Sequence, residues 1–332
     1  MRDLSFDELK TMSAAQLVQG ITEGEFSILR SLGCKKLLSE TRFGKLGAKF
    51  IVRLSKLKAK GKSRGSQQKA LCKILSRIAP YESPALAQDV APAGLIIAFN
   101  HPSLGEILRL IEFCLDNYPE RQMLFPVTIA WFEALAPNYA WLRSIGIHIT
   151  PTVTPKAIEE MLEINPELGD MARDIASKLN GFYQSQSHDF IASGDTLLVA
   201  PTATRNFHLF ECKAQERGDV EIKPETLSLI AISLSRDKEL QYTLMPLAVV
   251  PPEIYSAGLN LFEKYQLLPC ERINTSETQS MSKHKIGKAK VRELDLWWRT
   301  TIAARFRQVE RSELITRPTE WPDVSDPWKY YE

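Results

Sequence analysis

Leu95-Ile-Ile-Ala-Phe-Asn-His-Pro-Ser-Leu-Gly-Glu106 is the stretch whose reading decides the fold. Leu95 to Phe99 form a short, unbroken apolar run, the pattern of a strand buried on both faces. Asn100 and His101 follow at its carboxyl end, and a segment of helical period then runs from Leu104 to Leu115. The same succession recurs downstream. Apolar runs at Met123–Ala130, Gly146–Thr150, Thr196–Ala200 and Leu244–Val250 are separated by helical periods at Lys156–Leu162, Met171–Leu179 and Thr226–Leu234. Strands alternating with helices predict an α/β fold with a largely parallel central sheet and flanking helices. Functional groups of such sheets sit outside the carboxyl ends of the strands, which directs attention to residues 100–106 and 200–205.

Upstream of this stretch the pattern is helical. Phe43, Leu46, Phe50, Leu54 and Leu57 share one helix face, and Leu71, Ile74, Leu75 and Ile78 repeat the period. Pro80, Pro84 and a Pro/Ala-rich stretch to Gly94 then punctuate the chain. This predicts a helical N-terminal domain over 1–85 and an α/β domain over 86–332. Near the end, Val291, Leu294, Trp298, Ile302, Phe306 and Val309 describe one more amphipathic helix, and the tail after Pro318 reads as irregular chain. No internal repeat is present.

A chain of 332 residues with 44% apolar and 25% charged residues is long enough to bury a core without staples, and its composition excludes collagen-like and disordered classes. The five cysteines, Cys34, Cys72, Cys114, Cys212 and Cys270, are odd in number and lack C-x-x-C spacing. They predict reduced thiols rather than a disulfide frame or zinc knuckle. The N-terminus resembles neither a secretory signal nor a transit peptide, and no stretch has the ~18 apolar residues that span a bilayer. The expected setting is a reducing intracellular compartment such as the cytoplasm, with the chain soluble or peripheral at a membrane surface.

Two segments carry chemistry. His101 and Glu106 face each other across a strand-to-helix turn, where a carboxylate could orient an imidazole that takes a proton from a hydroxyl. The competing reading is that Ser103-x-x-Glu106 is a capping box, with Glu106 closing the helix terminus. In Thr196-Leu-Leu-Val-Ala-Pro-Thr-Ala-Thr-Arg205 a second strand ends in a hydroxyl-rich loop with one Arg, whose planar fork suits phosphate or carboxylate. Taken alone, these residues read first as a surface Arg on a turn. Gly61-Lys-Ser-Arg-Gly65 matches a nucleophile elbow but follows no strand, and there is no P-loop or G-x-G-x-x-G. His148, His188, His208 and His284 are not spaced as a metal cluster, so no metal is expected.

Asn100-His101 followed five residues after the His by an acidic residue resembles the first block of the glycerophospholipid acyltransferases. Ala200-Pro201-x-x-x-Arg205 falls where that superfamily carries a phosphate-binding Arg, and Leu244-Met-Pro-Leu-Ala-Val-Val250 resembles its last block. Ser144-Ile-Gly146, Lys156 ten residues later and Asp326-Pro-Trp328 make the pattern most similar to the soluble, plastid-type glycerol-3-phosphate acyltransferases. The chain departs from that pattern at three positions: Glu106 replaces Asp, Ala157 replaces a basic residue after the Lys, and Phe207 replaces a second Arg.

The resemblance implies a mechanism and a set of site residues. His101 would act as general base on an acceptor hydroxyl, oriented by Glu106. Arg205 and Lys156 would hold the acceptor's phosphate, with Asn100, Ser103 and Thr204 supporting. The acyl donor would be a thioester on acyl carrier protein or coenzyme A, and no further cofactor is implied. Backbone N–H groups at the helix after Pro102 would meet the oxyanion. The altered positions leave open an acyltransferase-fold protein that binds acyl chains or lipid without turnover.

Residues 41–81 contain twelve Lys or Arg and no Asp or Glu. The net charge of +2 thus averages a segment at +12 and a remainder at −10. A basic amphipathic helix suits anionic lipid or an acidic partner such as acyl carrier protein, or is a packed helix with solvated charges. A membrane-surface adaptor working through these helices is the remaining alternative. No aromatic interleaving or reading motif points to nucleic acid.

Overall fold

The computed structural model describes residues 2–40, 42–59, 63–84, 86, 93–102, 105–202, 208–209, 226–252, 260–283, 285–286 and 291–315. In chain order the main elements begin with α1 (Phe6–Thr11), α2 (Ala14–Glu23), α3 (Ile28–Ser31), α4 (Lys35–Glu40), α5 (Arg42–Lys58) and α6 (Arg64–Ile78). Then come β1 (Tyr81–Glu82), β2 (Gly94–Phe99), α7 (Glu106–Asn117), β3 (Met123–Thr128), α8 (Ile129–Leu135), α9 (Tyr139–Ser144), β4 (Ile147–Thr152), α10 (Pro155–Ile164) and α11 (Gly169–Ala192). The last are β5 (Thr196–Val199), α12 (Thr226–Leu234), β6 (Tyr242–Val250), β7 (Tyr265–Pro269), β8 (Ile273–Asn274), α13 (Thr275–Lys283) and α14 (Glu293–Gln308). The class is α/β with a mostly parallel, mixed sheet flanked by helices and an N-terminal helical region, as the sequence predicts. No helix among the described residues is long and apolar enough to cross a membrane.

Two compact units divide the chain, and they do not follow the boundary expected near residue 85. One comprises Met1–Leu71 with Gln122–Asp189; the other comprises Cys72–Arg121 with Phe190–Glu332. Hydrogen bonds inside the first unit supply the reason. The hydroxyl of Ser27 and the backbone N–H of Leu29 both donate to the carboxylate of Glu133 on α8, whose side chain is buried. Gln68 Nε2 donates to the carbonyl of Ile145 at 2.9 Å, and Trp141 Nε1 donates to Gln67 Oε1 at 2.6 Å. A buried carboxylate is costly unless it is bonded, so Glu133 binds the N-terminal helices to the segment that carries β3 and β4. Those two strands pair in parallel, Met123 opposite Ile147 through Thr128 opposite Thr152. Gly146, at φ +83°, makes the left-handed turn that enters β4, where a Cβ would lie 2.5 Å from the Arg64 guanidinium.

In the second unit β2 is central. It pairs in parallel with β5 (Leu95 opposite Thr196 to Ala98 opposite Val199) and with β6 (Gly94 opposite Tyr242 to Phe99 opposite Leu247). All six residues of β2 are buried, which is why it reads as a continuous apolar run. β7 and β8 pair antiparallel with β6, and β1 adds in parallel to β7. Trp298 on α14 is fully buried, and its indole N–H donates to the carbonyl of Ala98 at 3.0 Å, fixing that helix over the end of β2. Cys34, Cys72, Cys114 and Cys270 are free thiols, and burial pushes the Cys114 thiol well above its ordinary pKa; Cys212 lies outside the described residues.

Candidate active site

The site is built where β2 ends. Asn100 is buried, and its side-chain amide is engaged by the neighbouring strand. Its Nδ2 donates to the carbonyl of Val249 at 2.8 Å, and its Oδ1 accepts from the Val249 N–H at 2.7 Å. The side-chain amide thereby extends the β2–β6 ladder by one rung after the backbone has turned away. It holds the chain at the point from which His101 departs.

His101 Nδ1 is hydrogen-bonded to Glu106 Oε1. The imidazole retains 16% of its side-chain exposure, whereas the Glu106 carboxylate has none. With Nδ1 carrying the proton that Glu106 accepts, Nε2 keeps its lone pair and can take a proton. Helix α7 begins at Glu106, with Gly105 as its N-cap and no side-chain cap. Ser103, the partner of Glu106 in the capping-box reading, lies outside the described residues, and the carboxylate at the head of this helix is bonded to the imidazole. Its negative charge also sits at the positive end of the helix dipole. The ring of Phe99 meets that of His101 edge-on at 6.2 Å.

One turn along α7, Arg109 is fully buried and was not singled out by the sequence reading. Its guanidinium donates to the carbonyls of Gly105 (2.6 Å), Glu263 (2.6 Å), Asn260 (2.8 Å) and Pro80 (3.1 Å), and stacks 3.9 Å from the Tyr265 ring. Burial lowers its pKa, and Tyr265, Glu106 and Glu112 oppose that shift. Because Gly105 precedes Glu106, the Arg109 bond holds the peptide from which the carboxylate projects. The sequence did carry a signal: Glu106, Arg109 and Glu112 recur every third residue on the face that also buries Leu110 and Phe113. Charges on an apolar helix face are ordinarily paired or bonded.

The remaining predicted residues distribute as follows. Arg205, Thr204, Ser103 and Phe207 lie outside the described residues. Strand β5, which leads to Arg205, ends with Val199 opposite Ala98, and the chain is described from there to Thr202. Lys156 is the second residue of α10, a helix capped by Thr154 Oγ1 accepting from Ala157 N at 3.2 Å, and belongs to the other compact unit. Asp326-Pro-Trp328 and His284 are also outside the described residues. His148 Nε2 is hydrogen-bonded to Gln122 Oε1 at 2.7 Å, and His208 Nδ1 to the carbonyl of Glu313 at 2.9 Å, so both act in packing. Among the described residues no grouping of side chains could hold a metal ion.

No model of a known protein family matches the chain, and no curated protein matches it at a significant level.

Proposed function

We propose that this protein is an O-acyltransferase that moves a fatty acyl group from an acyl thioester, on acyl carrier protein or coenzyme A, to a hydroxyl of glycerol 3-phosphate or a related phosphorylated acceptor. The observation that supports this reading is the His101–Glu106 pair: an imidazole with one nitrogen held by a buried carboxylate, at the carboxyl end of a parallel strand. The motifs that resemble the glycerophospholipid acyltransferases give the reading its substrate class.

In this mechanism Nε2 of His101 accepts the proton of the acceptor hydroxyl as its oxygen attacks the thioester carbonyl. Glu106 holds the ring and stabilises the imidazolium that forms. Collapse of the tetrahedral intermediate expels the thiolate, which recovers the proton from His101. The step forms one C–O bond, breaks one C–S bond and needs no acyl-enzyme. The resemblance assigns Arg205 to the acceptor phosphate, where a cationic hold would convert binding into alignment of the hydroxyl.

The test is acyl transfer from labelled acyl thioesters to a panel of hydroxyl acceptors. His101→Ala is expected to lower turnover by at least about 100-fold, the lower bound of general-base catalysis. His101→Gln retains a donor for Glu106 but has no base; it is expected to fold and to be equally inactive. Wild-type turnover in a folded His101→Gln protein refutes the assignment. Glu106→Asp restores the residue of the resembling family: a rise in turnover supports the dyad, whereas a loss of thermal stability alone favours the capping box.

A further inference from the structure

The helix α5 is amphipathic, and its apolar stripe faces outward. Leu46, Phe50 and Leu57 are 64%, 63% and 73% exposed, although such side chains belong inside on solvation grounds. The opposite side of the helix is the buried one: Val52 is buried and Ser55 is fully buried, its hydroxyl satisfied within the helix by the Ile51 carbonyl at 2.8 Å. At about 100° per residue, Leu46, Leu57 and Phe50 fall within about 40° of arc, roughly opposite Ser55. Along the helix they span roughly 16 Å.

Lys45, Lys49, Arg53 and Lys56 are exposed and flank one side of this stripe. Lys56, 5.8 Å from the Trp141 ring, is held by that ring beside the stripe. No Asp or Glu occurs anywhere from 41 to 81. An outward apolar line with cations along its border is the arrangement of helices that lie in a membrane interface. The apolar side chains reach the acyl boundary, while Lys and Arg stems snorkel toward headgroup phosphates.

We propose that the outward face of α5 docks on an anionic lipid surface, with Leu46, Phe50 and Leu57 inserted and Lys45, Lys49, Arg53 and Lys56 contacting lipid phosphates. Charge decides among occupants. A second copy brought face to face would set these cations against their own kind, with no acidic residue on the segment to offset them. Lipid phosphates supply the opposite charge and an apolar medium at the same surface. The proposal is independent of catalysis at His101.

The experiment is flotation of the full-length protein with vesicles of phosphatidylcholine alone or mixed with phosphatidylglycerol, at low and at physiological salt. Wild type is expected to float with the anionic vesicles and to lose part of that binding as salt rises. Phe50→Ser combined with Leu57→Ser is expected to lower partition by about tenfold, a loss of ~1.4 kcal/mol; Lys49→Glu combined with Arg53→Glu should lower it as well. All four positions are exposed, so an unchanged circular dichroism spectrum and thermal midpoint certify the variants. The proposal is overturned by failure of wild type to float, by equal binding to neutral vesicles, or by unaltered partition of the double-serine variant. It is equally overturned if sedimentation reveals a dimer that the serine substitutions dissolve.

Discussion

Replacing Arg109 with Met tests the site's support more directly than any change to the dyad. Met fills most of the volume of the Arg stem and can still lie against Tyr265, so cavity effects are small and the polar bonds are isolated. Four carbonyls, of Pro80, Gly105, Asn260 and Glu263, lose their donor at distances of 2.6–3.1 Å. Bonds from a charged donor are worth about 1.5–3 kcal/mol each when measured singly. Four would sum to about 6–12 kcal/mol, but they share one side chain, and desolvating the guanidinium already offsets part of that gain. The expected loss is about 3–5 kcal/mol, a large part of the ~5–15 kcal/mol that stabilises an ordinary domain. Arg109→Lys should recover only part of it, since one ammonium cannot address four carbonyls in a fixed fork. Urea unfolding gives the free energy, and hydrogen exchange should show faster opening at the start of α7 and at residues 260–265. Below the unfolding transition, the proposed acyl transfer should lose kcat while KM holds, because the carbonyl of Gly105 no longer fixes Glu106. A loss under about 1 kcal/mol, with turnover unchanged, would refute the claim that Arg109 positions the dyad.

Two further expectations concern pH. Burial, reinforced by Asp116, raises the Glu112 carboxyl to about 8 against the pull of Arg109. Between its ordinary pKa near 4.3 and 8 the folded state holds a proton that the unfolded chain releases, so stability falls as pH rises through that window; Glu112→Gln should flatten the fall and exceed wild type in thermal midpoint at its alkaline end. His148 moves the other way: burial, with Arg143 and Arg64 nearby, lowers it to about 4. Here the unfolded chain binds the proton that the folded state refuses, so stability is lost as pH falls from about 6.5 toward 4, and His148→Gln should remove that acid limb in a thermal-melt series.

What the sequence disclosed and what it hid follow from the same physics. β2, β5 and β6 are buried on both faces, so each is a nearly continuous apolar run that no loop imitates. β7 stayed hidden because its five residues alternate buried and half-buried, with Gln266 and Leu268 on the less protected side. The pairing of His101 with Glu106 was legible because strand end, turn and helix start were all marked in one stretch. The sequence marks Asn100 as a supporting residue but does not show how it supports: its amide completes a ladder with Val249, 149 residues away. No local spacing reveals a partner so remote. The same limit explains the division into units: the bonds of Ser27 and Leu29 to Glu133 cross more than a hundred residues, and only such contacts decide which helices fold with which strands.

Helices α5 and α7 together show why periodicity alone misplaces function. Both have an apolar stripe of the same period, and in both the obvious inference is that the stripe turns inward. In α7 it does, but charged residues go in with it: Glu106 and Arg109 are fully buried because each has bonded partners that offset the loss of water. In α5 the side that packs carries Val52 and Ser55 with the half-buried Ala48, Ile51 and Leu54, while Leu46, Phe50 and Leu57 are left outside. Hydrophobic burial favours a stripe facing inward by about 25 cal/mol per Å². A helix that forgoes this for Leu46, Phe50 and Leu57 must be fixed by other contacts, or gain the same energy from a surface outside the chain. The rule that finds the core therefore finds the interface by its exceptions: a paired charge inside α7 marks the proposed chemistry, and an unpaired apolar row outside α5 marks the proposed membrane contact.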